Sequence, residues 1–160
     1  MLQHVVACKT LRRFNFDLRI RLSSSDTVQP ICMPDSSLCL PTGTKCAATG
    51  WGVTDKFATQ IPDELNEVGV KIIEKDICEN IHSDYKNQLS PEMVCAGYKE
   101  GGKDACLGDS GGPLACQIHG LNGPWVLYGI TSWGIGCGDP LHPGVYTSLS
   151  YQFSTIQQIV

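Results

Sequence analysis

Residues 104–113 read Asp-Ala-Cys-Leu-Gly-Asp-Ser-Gly-Gly-Pro, a serine hydroxyl set among glycines with two carboxylates nearby. A serine holds its proton at neutral pH, so acyl transfer needs a base in hydrogen-bond reach and N–H donors for the developing oxyanion. The glycines around Ser110 address the second need, since they let the chain take positive φ and bring backbone N–H groups close to whatever the hydroxyl attacks. The same residues also build ordinary surface turns in all-β domains, with Pro113 opening the next strand. A Gly-x-Ser-x-Gly alone is therefore a weak signal.

Such a turn needs strands to position it. Short strand-like runs at 44–49, 68–73, 93–96, 113–118, 125–132 and 144–147, divided by turn residues, predict a β-barrel or sandwich. Residues 16–22 alternate, with Phe16, Leu18, Ile20 and Leu22 apolar and Asp17, Arg19 and Arg21 polar, the period of a half-buried strand. Ser23-Ser24-Ser25-Asp26 followed by Pro30, Pro34 and Pro41 reads as a connection and as the expected domain boundary. Asp76-Ile77-Cys78-Glu79 has the form of a capping box and predicts a short helix opening there. Phe153, Ile156 and Ile159, at three-residue steps, predict an amphipathic terminal helix starting after Ser150.

A chain of 160 residues with 42% hydrophobic content can bury one core. Its net charge of −4 disfavours a nucleic-acid partner, because phosphate neutralisation needs an excess of cations. The one basic cluster, Lys9, Arg12, Arg13, Arg19 and Arg21, reads as a solvated face. Nine cysteines point to an oxidising compartment and a secreted or extracellular protein. Without a Cys-x-x-Cys pair, and with His4, His82, His119 and His142 at no ligand spacing, no metal and no cofactor is expected. No run approaches the length of a transmembrane helix, so no membrane span is expected. The start, Met1 to Cys8, lacks the form of a signal peptide, and cysteine-rich chemistry without an export signal leads to the expectation of a fragment.

The ten residues around Ser110 resemble the active-serine segment of the trypsin-like (chymotrypsin-type) serine proteases. Val28-Gln29-Pro30-Ile31-Cys32-Met33-Pro34, Gly50-Trp51-Gly52, Cys95-Ala96-Gly97-Tyr98 and Ser132-Trp133-Gly134 extend the resemblance over about residues 17–160. It implies an all-β, chymotrypsin-like fold. Residues 1–27 would be the remnant of a first barrel, and 28–160 an essentially complete second barrel with a C-terminal helix. The implied activity is that of a serine endopeptidase acting on proteins or peptides after Arg or Lys.

Residue by residue, the resemblance makes Ser110 the nucleophile and the N–H groups of Gly108 and Ser110 the oxyanion hole. Asp109 becomes the acid that pairs with a new N-terminal amine after proteolytic activation. Asp104, six residues before the serine, becomes the base of a pocket for basic side chains, walled by Ala105, Leu107, Ser132, Trp133, Gly134, Gly136 and Gly144. In the family the triad aspartate precedes the serine by roughly 93 positions, which selects Asp17, and the histidine lies roughly 45 positions earlier still, before Met1. The strand after Asp17 is one residue shorter than the family's, and a one-residue change turns later side chains to the opposite face. No histidine follows an Ala-Ala pair, and His4 reads as a terminal residue.

The resemblance also implies the bridges Cys46–Cys116, Cys78–Cys95 and Cys106–Cys137. It sends Cys32 to an upstream segment expected to be missing, and it leaves Cys8 and Cys39 unassigned. The expectation is therefore the C-terminal portion of a secreted trypsin-like endopeptidase, truncated and inactive as it stands. The alternative is a non-catalytic binding module that kept the protease scaffold.

Overall fold

A computed structural model describes residues 27–58, 60–120 and 123–159. Asp17 with its alternating run, His4, Cys8 and the basic cluster lie outside the described residues. In chain order the elements are β1 (Lys45–Gly50), β2 (Asn66–Ile73), α1 (Lys75–Ile81), a 3-10 turn (Ser83–Tyr85), β3 (Met93–Gly97), β4 (Pro113–Gln117), β5 (Trp125–Trp133), β6 (Gly144–Ser148) and α2 (Leu149–Ile159).

The six strands close an antiparallel barrel in the order β1-β2-β3-β6-β5-β4. Alternation drives this closure. Cys46 and Ala48 of β1, and Leu114 and Cys116 of β4, point inward to join Val70, Ile72, Ala96, Tyr128 and Tyr146 in one core. At the seam where first and last strands meet, Cys46 lies opposite Cys116 and is bonded to it. Closing a sheet on itself leaves no unpaired strand edge. A second cluster, made by Ile73, Cys78, Tyr85, Leu89, Cys95 and Val145, packs α1 and the 3-10 turn onto the barrel, and the Cys78–Cys95 disulfide pins it. Trp133 and Ile135 lean against that cluster, which places the end of β5 between the core and solvent.

Two local expectations are corrected. α1 begins at Lys75 after Glu74, which makes no side-chain cap bond, so Asp76 is a first-turn acid rather than the cap of a capping box. Glu74 is engaged elsewhere: its N–H donates to Thr42 Oγ1 at 2.8 Å, and its Oε1 accepts from Thr42 N–H at 3.3 Å. A reciprocal pair across the fold thus holds the residue before the helix. α2 starts at Leu149 rather than after Ser150, and its inner face is Leu149, Phe153 and Ile156.

The proline-rich connection packs on the barrel along its described part. Cys32 forms a parallel bridge with Val126 and its carbonyl accepts from Leu127 N–H at 2.8 Å, while Pro34 and Leu40 are buried. Cys32 is itself disulfide-bonded, which corrects the expectation that its partner is missing. Cys39 is free and exposed. Among the described residues no helix is long and apolar enough to cross a membrane.

Candidate active site

Two loops build the site, one between β3 and β4 and one between β5 and β6, and the Cys106–Cys137 disulfide ties them together. In the first loop Asp109 N–H donates to Cys106 O at 3.0 Å and Gly112 N–H to Asp109 O at 2.9 Å, so the chain turns twice around Ser110. The turn requires φ of 97° at Gly108 and 83° at Gly111, values that side chains rarely adopt. Reciprocal bonds with β5, Gly111 N–H to Thr131 O at 2.9 Å and Thr131 N–H to Gly112 O at 2.8 Å, clip the far side of the turn. Ser110 is left exposed at the tip.

The Leu107 carbonyl accepts from Val53 N–H at 2.9 Å. Every described peptide bond is trans, and a planar trans peptide sets its N–H opposite its carbonyl, so the Gly108 N–H is turned away from Val53. Among the described residues neither the Gly108 nor the Ser110 N–H donates to a protein acceptor. Two open donors thus flank one open hydroxyl.

Asp109 holds this geometry. Its Oδ1 accepts from Gly52 N–H and its Oδ2 from Cys106 N–H, both at 2.8 Å. A Cβ on Gly50 or Gly52 would lie 2.0 or 2.4 Å from the carboxylate, which is the physical reason for glycine at both positions. A cavity of about 420 Å³, lined in part by Gly50, Gly52, Lys56, Phe57, Asp104 and Asp139, adjoins the same carboxylate.

Asp104 accepts from Ala105 N–H at 2.9 Å and from Gly138 N–H at 3.1 Å across the disulfide-linked loop. Burial pushes its carboxyl up to about 6 against the pull of those two bonds, and the charges of Asp109 and Asp139 add to the rise. It borders a cavity of about 260 Å³ that also brings together Ala105, Leu107, Ser110, Ser132, Trp133, Gly134, Gly136 and Gly144. A Cβ on Gly144 would come within 2.6 Å of Asp104 Oδ1. Leu107 is 71% exposed at the rim. Trp133 is backed by Tyr85, whose ring stacks on it at 5.9 Å and whose hydroxyl donates to Pro143 O at 2.8 Å.

Sequence reasoning missed Thr131, Val145 and Tyr146 in this lining. Tyr146 follows Gly144 by two along β6, and the period-two rule, applied from Gly144, finds it on the same face. Its hydroxyl is buried without a partner, and burial, then Asp104, then Asp109, push its pKa up.

The described histidines are elsewhere. His119 occupies the turn after β4 at φ 60°, and His82 and His142 meet at Asp84. None of them pairs with Ser110, and Asp17 lies outside the described residues. The 260 Å³ cavity offers a single carboxylate and no imidazole, a poor metal site but a suitable seat for one organic cation.

Residues 15–156 match the protein family described as Trypsin. Testisin of Homo sapiens is 45% identical over 136 residues, covering 83% of this chain. The chain spans 42% of that relative's length.

Proposed function

The chain belongs to the trypsin-like serine protease family, and on that premise we propose that it carries the nucleophile, oxyanion donors and specificity pocket of a secreted endopeptidase that cleaves after Arg or Lys. The observation that supports this best is the half-buried Asp104 carboxylate in a cavity whose lining also includes the exposed Ser110. A Lys or Arg side chain entering there exchanges water for a charge-assisted pair with a carboxylate that burial has made a strained anion. The carbonyl of that same Lys or Arg residue then lies beside Ser110 Oγ. Attack builds negative charge on that carbonyl oxygen, and the open N–H groups of Gly108 and Ser110 receive it, each worth about 10²–10³ in rate.

The Ser110 proton must pass to an imidazole, which Asp17 is proposed to orient. Among the described residues no histidine reaches Ser110, so residues 1–160 alone are expected to hydrolyse an arginine ester no faster than their Ser110→Ala variant. Asp109, bordering the 420 Å³ cavity, is proposed to pair there with the amine of an activated N-terminus. The lack of a described base also favours a second reading, a binding module that retains the pocket without turnover.

An aryl-amidine fluorophosphonate separates the two. We expect a protein in which residues 1–160 are joined by the segment that supplies the imidazole to gain one adduct, mapped to Ser110 by peptide mass, lost in Ser110→Ala and strongly slowed in Asp104→Ser. Saturable amidine binding without adduct supports the binding module. Labelling that ignores both substitutions overturns the pocket assignment.

A further inference from the structure

We propose that His82, Asp84 and His142 form a binding site for a divalent transition-metal ion of the zinc type, bridging the 3-10 turn and the loop between β5 and β6. His82 Nδ1 and His142 Nε2 each lie 3.3 Å from the same oxygen, Asp84 Oδ2. All three ligand atoms fall within 4.8 Å of one another. A tetrahedron with metal–ligand bonds of ~2.05 Å has edges of about 3.3 Å, so two of the three edges already match.

The hydrogen-bond pattern turns lone pairs toward that point. His142 Nδ1 lies 2.9 Å from the Pro140 carbonyl, and in the tautomer that donates there Nε2 can present its lone pair to a metal beside Asp84. Asp84 N–H points at His82 Nδ1 from 3.4 Å, marking that nitrogen as an acceptor too, through a contact long enough to yield to a metal. Two imidazole nitrogens and a carboxylate oxygen thus converge on one point that a cation can occupy. The bond from His142 to Pro140 is the outer partner that metal-bound histidines use to hold ring orientation.

The rings of His82 and His142 sit 4.4 Å apart. Side-chain exposures of 35%, 47% and 17% for His82, Asp84 and His142 leave a path for an ion and a position for water. Asp84 and His142 are 58 residues apart, so no sequence spacing reveals the set. His142 precedes Pro143, which holds Tyr85, and Gly144 of the 260 Å³ cavity. A bound ion therefore braces that wall.

The test is metal binding by the intact protein carrying Cys39→Ser, which removes the exposed thiol as a competing ligand. Zn²⁺ is titrated by calorimetry, and Co²⁺ reports geometry through its visible absorption. We expect one ion per chain, a tetrahedral Co²⁺ spectrum, and affinity reduced by more than ~10–100-fold, the loss typical of outer-shell changes, in His82→Ala and in His142→Gln. His4→Ala and His119→Ala should bind as before, and urea unfolding of each variant confirms its fold. No binding overturns the site. So does binding that survives both ligand substitutions or falls with His4 or His119.

Discussion

Asp104 and Asp109 stand five residues apart in one loop, and each accepts two backbone N–H bonds. Their surroundings differ in what each carboxylate faces. Asp109 is wedged against Gly50 and Gly52 and holds the Ser110 turn to the end of β1. Asp104 borders the 260 Å³ cavity that Ser110 also lines, with its carboxyl raised to about 6 by burial. Both carboxylates keep acceptor capacity for a cation, but only Asp104 borders the cavity that Ser110 lines. Residue type alone does not separate these two uses.

The contrast breaks most visibly at Asp109. Asp109→Ala strips the acceptor from Gly52 N–H and Cys106 N–H, and each buried donor left unsatisfied costs about 1–3 kcal/mol. In a protein that joins residues 1–160 to the segment supplying the imidazole, we expect kcat/KM to fall by about 10²–10³ for basic and uncharged esters alike, as for loss of an oxyanion donor. Parallel ester kinetics and urea unfolding check this. A loss confined to basic substrates would merge the two roles.

Asp104→Ser should do the reverse. Turnover of Arg and Lys esters is expected to fall by roughly 10²-fold, while an uncharged fluorophosphonate labels Ser110 at an unchanged rate. Equal losses on both probes would place Asp104 with the turn rather than the pocket.

Gly144→Ala sets a Cβ within 2.6 Å of Asp104 Oδ1. A rise in KM for arginine esters of about tenfold, with little change in kcat, is the expected result. A fall in kcat alone would show the glycine serving the turn instead.

The mildest effect is that of pH. Free Asp104 carries a proton below about 6, so affinity for an aryl amidine should fall by up to about tenfold per unit below that point and stay level above it. Binding in that range releases a proton, measurable by calorimetry in buffers of different ionisation enthalpy. The raised carboxyl also contributes stability that is fully present below the ordinary carboxylate value of 3.8 and lost as pH rises through about 6. Affinity flat across pH 5–7 would give Asp104 no cation to receive.

The barrel strands were legible because alternation records which side chains face inward, and each of the six lies within two residues of its expected bounds. The Ser110 turn was legible for a different reason: its glycines, serine and aspartates are chain neighbours, and their backbone demands are local. The α1 cap was misread because the helix begins at Lys75, which puts Asp76 inside its first turn, after a Glu74 that Thr42, 32 residues away, engages. Tyr146 needed the pleat of β6 to bring it beside Asp104.

By itself the sequence determined the strand periodicity, the glycine-bearing turn and the chemical types present in it. Only the tertiary structure decided that Asp109 meets Gly52, 57 residues away, that Asp104 borders a cavity, and that His142 comes to Asp84. Periodicity and turn chemistry act between neighbours along the chain. Space, burial and lone-pair encounters arise between residues that only barrel closure makes adjacent.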